Sequence, residues 1–175
     1  LDTAKKLSQY GVKTILDYSA EGQTGQGALN AAHEQIMSAI LSAKGDARFA
    51  FAVFKVSALS DNALLEKVNV GGTLTEKEQL AWQQVEGRVS SLCKAACDHG
   101  VPIMIDAEES WLQSAIDALA ETMMRRHNTA GCHVYTTAQL YRHDRLPYIK
   151  QLQESAEKEG WVVGVKLVRG AYMEK

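Results

Sequence analysis

The chain has 175 residues, of which 46% are hydrophobic, with a formal net charge of −2 and three cysteines. This length supports one domain with a buried core, and the interspersed charges do not favour nucleic acid or an anionic membrane as a partner. No apolar run reaches the ~20 residues of a membrane-spanning helix. The cysteines form neither a disulfide framework nor a metal-binding pattern, so we expect no metal.

The first half of the chain predicts two units of a strand followed by a helix. The first strand lies near 12–17, and apolar residues at helical spacing then predict a helix over 28–44. The second strand lies near 49–56. Thr75 is the predicted N-cap of a long helix, because Glu78 follows it by three residues and completes a capping box.

The second half continues the same alternation. Strands are predicted near 101–105, 132–137 and 161–168, with helices over 111–127 and 146–158 between them. The strands are short and apolar. Strands of this kind, buried on both faces and separated by helices, indicate a parallel sheet built from right-handed crossovers.

Both an open doubly wound sheet and a (β/α)₈ barrel accommodate these units. The barrel is favoured because polar residues stand at the carboxyl end of every strand, and only a barrel brings all those ends to one mouth. These residues are Asp17, Lys55, Asp106, Thr136 with Thr137, and Lys166. We therefore predict a single, partial barrel domain of the α/β TIM-barrel type over 1–175, with about five of its eight strands.

Three charged residues are the main candidates for chemistry. Lys55 follows an apolar strand, where an isolated ammonium is costly unless it pairs, and Asp106 supplies an opposite charge at the next strand end. Lys166 interrupts the last strand, which leads into the basic turn 169–172. The residues alone allow a structural ion pair. They also allow a site for an anion, such as a carboxylate, or for an electron-rich ring.

Other polar residues have simpler explanations. At least one of Glu108 and Glu109 is expected to be a first-turn acid that interacts with a helix dipole. The segment 141–145 is expected to be a solvated helix entry. Asp17 and Glu21 are either ligands or ordinary turn acids.

Several motifs together resemble one family. V-K-L-V-R-G-A-Y (165–172) and V-P-I-M-I-D-A-E-E (101–109) resemble strands five and three of the proline dehydrogenases, the flavin-dependent (β/α)₈ enzymes that oxidise L-proline. G-V-K-T-I-L-D-Y (11–18), F-K-V-S-A-L (54–59) and Q-L-Y-R-H-D-R-L (139–146) are similar to other parts of the same barrel, in the same order.

The resemblance implies catalytic roles for the three charged residues. Lys55 would lie beside substrate and flavin and engage the proline carboxylate. Asp106 would lie beneath the isoalloxazine and orient basic partners, and the Ala107 backbone would approach the cofactor. Lys166 would stand near the flavin ring, where a cation stabilises the negative charge that develops on reduction.

The resemblance also implies flavin contacts from the end of strand five: Val168, Arg169, Gly170 and Ala171. Tyr172 would line the substrate mouth. On strand four the family often has Gln or Asn where Thr136 stands, so either Thr136 or Gln139 would supply that cofactor contact.

The implied reaction is hydride transfer from proline C5 to flavin N5, with FAD as cofactor, pyrroline-5-carboxylate as product and a quinone as the final electron acceptor. No signal-peptide pattern is visible in residues 1–3. In a bacterium the expected location is the cytoplasm, with peripheral contact to the inner membrane. In a eukaryote the expected location is the mitochondrion.

In this family the final strands supply an arginine pair that grips the substrate, whereas this sequence stops at Lys175. We therefore expect a fragment that is inactive alone, with open sheet edges through which it would form a homo-oligomer. Two alternatives remain on sequence grounds. One is an aldolase-type barrel with Lys55 or Lys166 as Schiff-base nucleophile, and the other is a non-catalytic, self-associating fragment.

Overall fold

The computed structural model describes residues 2–17 and 24–170. Within these residues the chain forms five strands: β1 Thr14–Asp17, β2 Phe49–Phe54, β3 Ile103–Ile105, β4 Val134–Gln139 and β5 Val165–Val168. The same residues form six α-helices: α1 Asp2–Ser8, α2 Gln26–Ala43, α3 Asn62–Asn69, α4 Glu76–Asp98, α5 Ser110–His127 and α6 Arg145–Glu159. A short 3₁₀ turn, Val56–Ala58, follows β2.

All five predicted strands are present, and the largest differences are at the end of the chain. β5 begins only at Val165, because the extended residues before it are held differently: the Val162 N–H donates to the backbone carbonyl of Asn128 (2.9 Å). β4 continues to Gln139, since its last residue still pairs with Val168 of β5.

The strand order decides between the two predicted architectures. All pairs are parallel and the order is β1-β2-β3-β4-β5, so each strand lies beside its neighbour in sequence. A doubly wound sheet would reverse direction at a switch point. The sheet instead curls into half of a barrel, which confirms the predicted TIM-barrel type.

The helices cover the outer face of this sheet. Phe54, Ile103 and Ile105 point outward and are fully buried against helix residues such as Ile40 and Ile116. Because side chains alternate along a strand, the residues between them point to the concave face. That face is where the polar strand ends meet.

A local signal sets the start of α4. Thr75 and Glu78 form the predicted capping box at the start of α4: Glu78 accepts from the Thr75 N–H (2.7 Å), and its own N–H donates to the Thr75 hydroxyl (3.3 Å). Lys67 pairs with Glu78 at 2.7 Å and joins α3 to this helix.

Across residues 2–17 and 24–170, every helix is too short or too polar to cross a lipid bilayer.

Candidate active site

The carboxyl ends of β2 to β5 bring four polar residues into one row. Thr137 lies opposite Lys166 in the register between β4 and β5. The register of β2 and β3, continued by one residue, sets Lys55 beside Asp106. The register of β3 and β4, continued by two residues, sets Asp106 beside Thr137. Parallel strands with a common register therefore assemble the three charged candidates at one edge of the sheet.

A cavity of about 220 Å³ opens at this row. Every residue that lines it comes from the end of a strand or from the loop after it. The lining residues are Lys55, Asp106, Ala107, Thr137, Gln139, Tyr141, Lys166 and Val168. Six of the predicted site residues thus share one small cavity.

Asp106 and Lys166 form an ion pair across this cavity. The Lys166 Nζ lies 2.5 Å from the Asp106 Oδ1, and the same oxygen accepts the Ala107 N–H at 3.0 Å. The Lys166 side chain is 30% exposed and the Asp106 side chain is 23% exposed. The pair joins β3 to β5, is only partly buried, and remains accessible from the cavity.

Glu108 lies behind the cavity and is 2% exposed. Its Oε1 accepts the Ser57 N–H (3.0 Å), its N–H donates to Gln113 (2.9 Å), and its carbonyl accepts from Gln139 (2.6 Å). Burial raises the pKa of the Glu108 carboxyl, against the Ser57 hydrogen bond and the charge of Lys55. Glu108 is therefore a buried junction between loops, whereas Glu109, directly before α5, fits the predicted dipole role.

The expectation that 141–145 is a solvated segment is wrong for Arg145. Its side chain is 5% exposed, and its Nη1 donates to Asp117 of α5 at 2.5 Å. It also binds Asp144. Burial works against the Arg145 charge, but the hydrogen bonds to Asp144 and Asp117 outweigh it and keep the pKa of Arg145 above its ordinary value.

On β4 the structure distinguishes the two candidate contacts. Gln139 lines the cavity, but Thr136 does not; it is fully buried, and its neighbour Thr137 faces the cavity instead. Thr137 and Gln139 are two residues apart and share a face, while Thr136 points to the opposite one. The structure thus does not bring Thr136 to the site.

The remaining predicted residues have mixed positions. Val168 lines the cavity, while Arg169 and Gly170 follow β5 and are exposed. Ala171 and Tyr172 lie outside the described residues. Asp17 ends β1 opposite Val53, which is two residues before Lys55, and Asp17 is not among the lining residues.

Sequence reasoning missed Tyr141, Gln113 and Asp117. One usable signal existed for Asp117: it interrupts the apolar stripe of α5 next to Ile116, and a buried acid at such a position needs a buried partner. That signal does not identify the partner, because Arg145 is 28 residues away.

A family model for proline dehydrogenase matches residues 1–175. The chain belongs to the proline dehydrogenase family.

Two curated relatives show how far the similarity extends. This proline dehydrogenase family member is 32% identical over 173 residues to the carbapenem antibiotics biosynthesis protein CarD of Pectobacterium carotovorum, covering 99% of this chain and 46% of that protein. It is 38% identical over 99 residues to human mitochondrial proline dehydrogenase 1, covering 57% of this chain and 16% of the human protein. The chain thus spans at most about half the length of these two relatives.

The fold also has solved counterparts. Proline utilization A (PutA) from Bdellovibrio bacteriovorus, inactivated by N-propargylglycine, superposes with a TM-score of 0.79 over 98% of this chain and 19% of that one, at 16% identity. This likeness confirms the barrel-type fold of the proline dehydrogenase family member described here.

The proline dehydrogenase family is generally flavin-dependent, and the lining residues fit such a group. Lys55 and Lys166 offer ammonium groups, Gln139 offers an amide, and Val168 adds an apolar wall. An electron-rich ring with carbonyl acceptors needs donors and positive charge of this kind. The single carboxylate of Asp106 offsets part of the positive charge.

Proposed function

We propose that this chain carries the flavin-binding and proline-binding residues of a proline dehydrogenase that oxidises L-proline to pyrroline-5-carboxylate. The observation that carries the proposal is the charge arrangement in the cavity. Lys55, Asp106 and Lys166 come from three strand ends and share a cavity of about 220 Å³. Family membership over the full chain supports the same reaction.

Each of the three charged residues has a distinct proposed role. Lys55 binds the carboxylate of L-proline through a charge-assisted hydrogen bond. Lys166 provides the positive charge beside the flavin ring, and Asp106 holds the Lys166 ammonium in position at 2.5 Å. A preoriented charge of this kind stabilises the transition state without reorganising when the reaction occurs.

The cofactor in this proposal is FAD, held by Ala107, Gln139, Val168 and the turn at Arg169 and Gly170. When bound, FAD would supply the two-electron acceptor for the hydride of the proline C5–H bond, and the ring nitrogen would release its proton to solvent as the C=N bond forms. Gln139 contributes a side-chain amide with both hydrogen-bond donors and acceptors. Val168 gives the cavity a wall without hydrogen-bonding groups.

A quinone is the proposed final acceptor of the two electrons. Peripheral membrane contact is proposed for the same reason, because quinones partition into the bilayer. Self-association through the sheet edges is a separate proposal; sedimentation velocity at several concentrations tests it.

The Schiff-base alternative has less support. Asp106 engages Lys166 as an ion pair, whereas a Schiff-base nucleophile attacks as the neutral amine. The alternative predicts that borohydride with a carbonyl substrate adds covalent mass to Lys55 or Lys166.

The decisive experiment titrates the 175-residue chain and the full-length protein with FAD. Protein-bound flavin is measured after desalting, and L-proline is then added while the absorbance of the oxidised flavin is followed. Retained flavin that is bleached by L-proline supports the proposal. A full-length protein that retains no flavin, or retains flavin that L-proline does not bleach, contradicts it; a borohydride adduct would favour the aldolase-type reading.

A further inference from the structure

A closed circuit of hydrogen bonds runs behind the cavity. Its first half starts at Gln139, whose Nε2 donates to the Glu108 carbonyl (2.6 Å). The Glu108 N–H donates to the Gln113 Oε1 (2.9 Å), and the Gln113 Nε2 donates to the Asp117 Oδ1 (2.8 Å). This half joins the end of β4 to the middle of α5 through the loop after β3.

The second half returns from α5 to the end of β4. The Arg145 Nη1 donates to the other Asp117 oxygen (2.5 Å), and Arg145 also binds Asp144. Arg142 donates to Asp144 (2.7 Å) and closes the circuit through a longer contact with the Gln139 Oε1 (3.4 Å). Both ends of the Gln139 amide are therefore engaged.

Most of this circuit is buried. Five members are at most 6% exposed: Glu108, Gln113, Asp117, Gln139 and Arg145. A buried ion pair adds little to stability compared with apolar residues of the same volume, because desolvation offsets the attraction. Fully connected polar networks do, however, hold side chains in one orientation. Stabilisation of the fold therefore does not by itself explain why the charged pair of Asp117 and Arg145 is buried.

The circuit acts on the loops that form the cavity. Through Glu108 it connects the loop after β3 to the loop after β4, and the Glu108 carboxylate adds the loop after β2 by accepting from Ser57 (3.0 Å). Gln139 lines the cavity and still has one N–H and one lone pair for a ligand. The directions of this remaining N–H and lone pair depend on the hydrogen bonds that the circuit makes to the Gln139 amide.

We propose that Asp117 and Arg145 are positioning residues for the candidate active site. They keep Gln139 and the Glu108 peptide in the orientation that receives the flavin, although neither Asp117 nor Arg145 lines the cavity. This inference rests on the proposed function, because it assigns the positioned groups to FAD.

The test compares four variants of the full-length protein. Asp117→Asn replaces one of the two acceptor oxygens by an N–H group, which faces either the Arg145 or the Gln113 donor and so breaks the circuit, while Arg145→Lys keeps the charge but loses the fork that spans Asp117 and Asp144. The matched control is Arg125→Lys: Arg125 also joins α5 to α6, through Glu159, and it pairs with Glu121 within α5, away from the cavity. Leu152→Ala in the core of α6 is the control for lost stability.

Two quantities are measured well below the melting temperature of every variant. One is the Kd for FAD, from quenching of flavin fluorescence. The other is the NMR signal of the Gln139 side-chain amide without FAD, which reports its orientation independently of cofactor binding. Both Asp117→Asn and Arg145→Lys are included so that poor folding of one leaves the other to decide.

The positioning role predicts a Kd raised at least about 10-fold in Asp117→Asn and Arg145→Lys, together with a shifted or broadened Gln139 amide signal. Arg125→Lys and Leu152→Ala should keep the wild-type Kd and signal. Wild-type Kd values in both circuit variants, or an equal loss in Leu152→Ala, overturn the inference. If the wild type itself binds no FAD, the proposed function fails. The Gln139 signal then still decides on positioning, and an unchanged signal in both circuit variants overturns it.

Discussion

At its carboxyl-end edge the sheet gathers Lys55, Asp106 and Lys166 from three strands around a cavity of about 220 Å³, whereas a larger cavity, of about 380 Å³, lies at the amino-end edge. Half of the residues that line the larger cavity are glycine or alanine, such as Gly45 and Ala47. Its acid, Asp46, is bound by Arg48 only two residues away, at 2.5 Å.

The comparison teaches that cavity volume does not select the candidate site in this molecule, whereas convergent charge does. Asp46 and Arg48 satisfy each other within one turn, so neither depends on the rest of the fold. Asp106 and Lys166 are 60 residues apart and meet only because β3 and β5 end at the same edge. Charges that converge from distant strands indicate chemistry, and this edge of a barrel is where chemistry is found.

The amino-end edge instead holds the strands together. Asn128 is fully buried and makes four hydrogen bonds to the starts of β4 and β5: two from its Nδ2 to the Val134 and Val162 carbonyls, and two accepted by its Oδ1 from the His133 and Val134 N–H groups. Nearby, a Cβ added to Gly164 would lie 2.5 Å from the Val134 carbonyl oxygen, so only glycine allows this approach. Substitutions at the amino-end edge should therefore lower stability and spare activity, whereas substitutions at the carboxyl-end edge should lower activity and spare stability.

The largest effect is expected from Asn128→Ala. It leaves several buried backbone groups without partners, which should lower the free energy of unfolding by about 3 kcal/mol while kcat at low temperature stays unchanged. Urea denaturation and proline oxidation measure the two quantities. Asn62→Ala, at an exposed position of α3, is the control. A stability equal to that of the control would contradict the structural role of Asn128.

The converse change is Asp106→Asn. It removes the carboxylate that orients Lys166, so kcat/KM for L-proline should fall about 100-fold while the melting temperature changes little. Asp46→Asn at the amino-end edge is the matched control and should retain full activity. Equal activity in the two variants would remove the proposed distinction between the edges.

A smaller effect is expected from Lys55→Met. Loss of one charge-assisted hydrogen bond to the substrate carboxylate should raise KM for L-proline about 10-fold or more. Lys13→Met tests the specificity of this result, because Lys13 lines cavities at the other edge. If KM is unchanged and kcat alone falls, Lys55 acts on the reaction step and not on substrate binding.

The smallest effect concerns Glu78, an acid in the first turn of α4 that is not among the residues lining the cavity. The hydrogen bond from Lys67, followed by those from Thr75, lowers the pKa of Glu78 from 4.5 to about 2. A lowered folded-state pKa means that ionised Glu78 stabilises the fold above pH 4.5 and that this contribution is lost as the pH falls toward 2.

Glu78→Gln removes that contribution. The difference in stability between wild type and variant should therefore be present at pH 6 and shrink between pH 4.5 and about 2. Urea denaturation at a series of pH values measures it, and proline oxidation near neutral pH should be unaffected. A difference that grows on acidification would mean that the pKa is raised instead.

The sequence by itself determined the elements and the candidate charges, because these depend on nearby residues. The apolar runs before Lys55 and Asp106 identify strands and their ends, and the Thr75–Glu78 capping box spans three residues. Lys55, Asp106 and Lys166 were recognisable because a charge at the end of an apolar strand is costly unless it has a purpose or a partner. Family motifs then indicated Gln139 as a candidate, and it lines the cavity.

Only the tertiary structure decided how these elements combine. The order β1 to β5 excluded a doubly wound sheet, and the register selected Thr137 over Thr136 as the residue facing the cavity. The sequence hinted that Asp117 needs a buried partner, but only the structure identified that partner as Arg145, 28 residues away. The reason is physical: helix and strand patterns are encoded over a few residues, whereas partners of buried charges are brought together by packing across the whole chain.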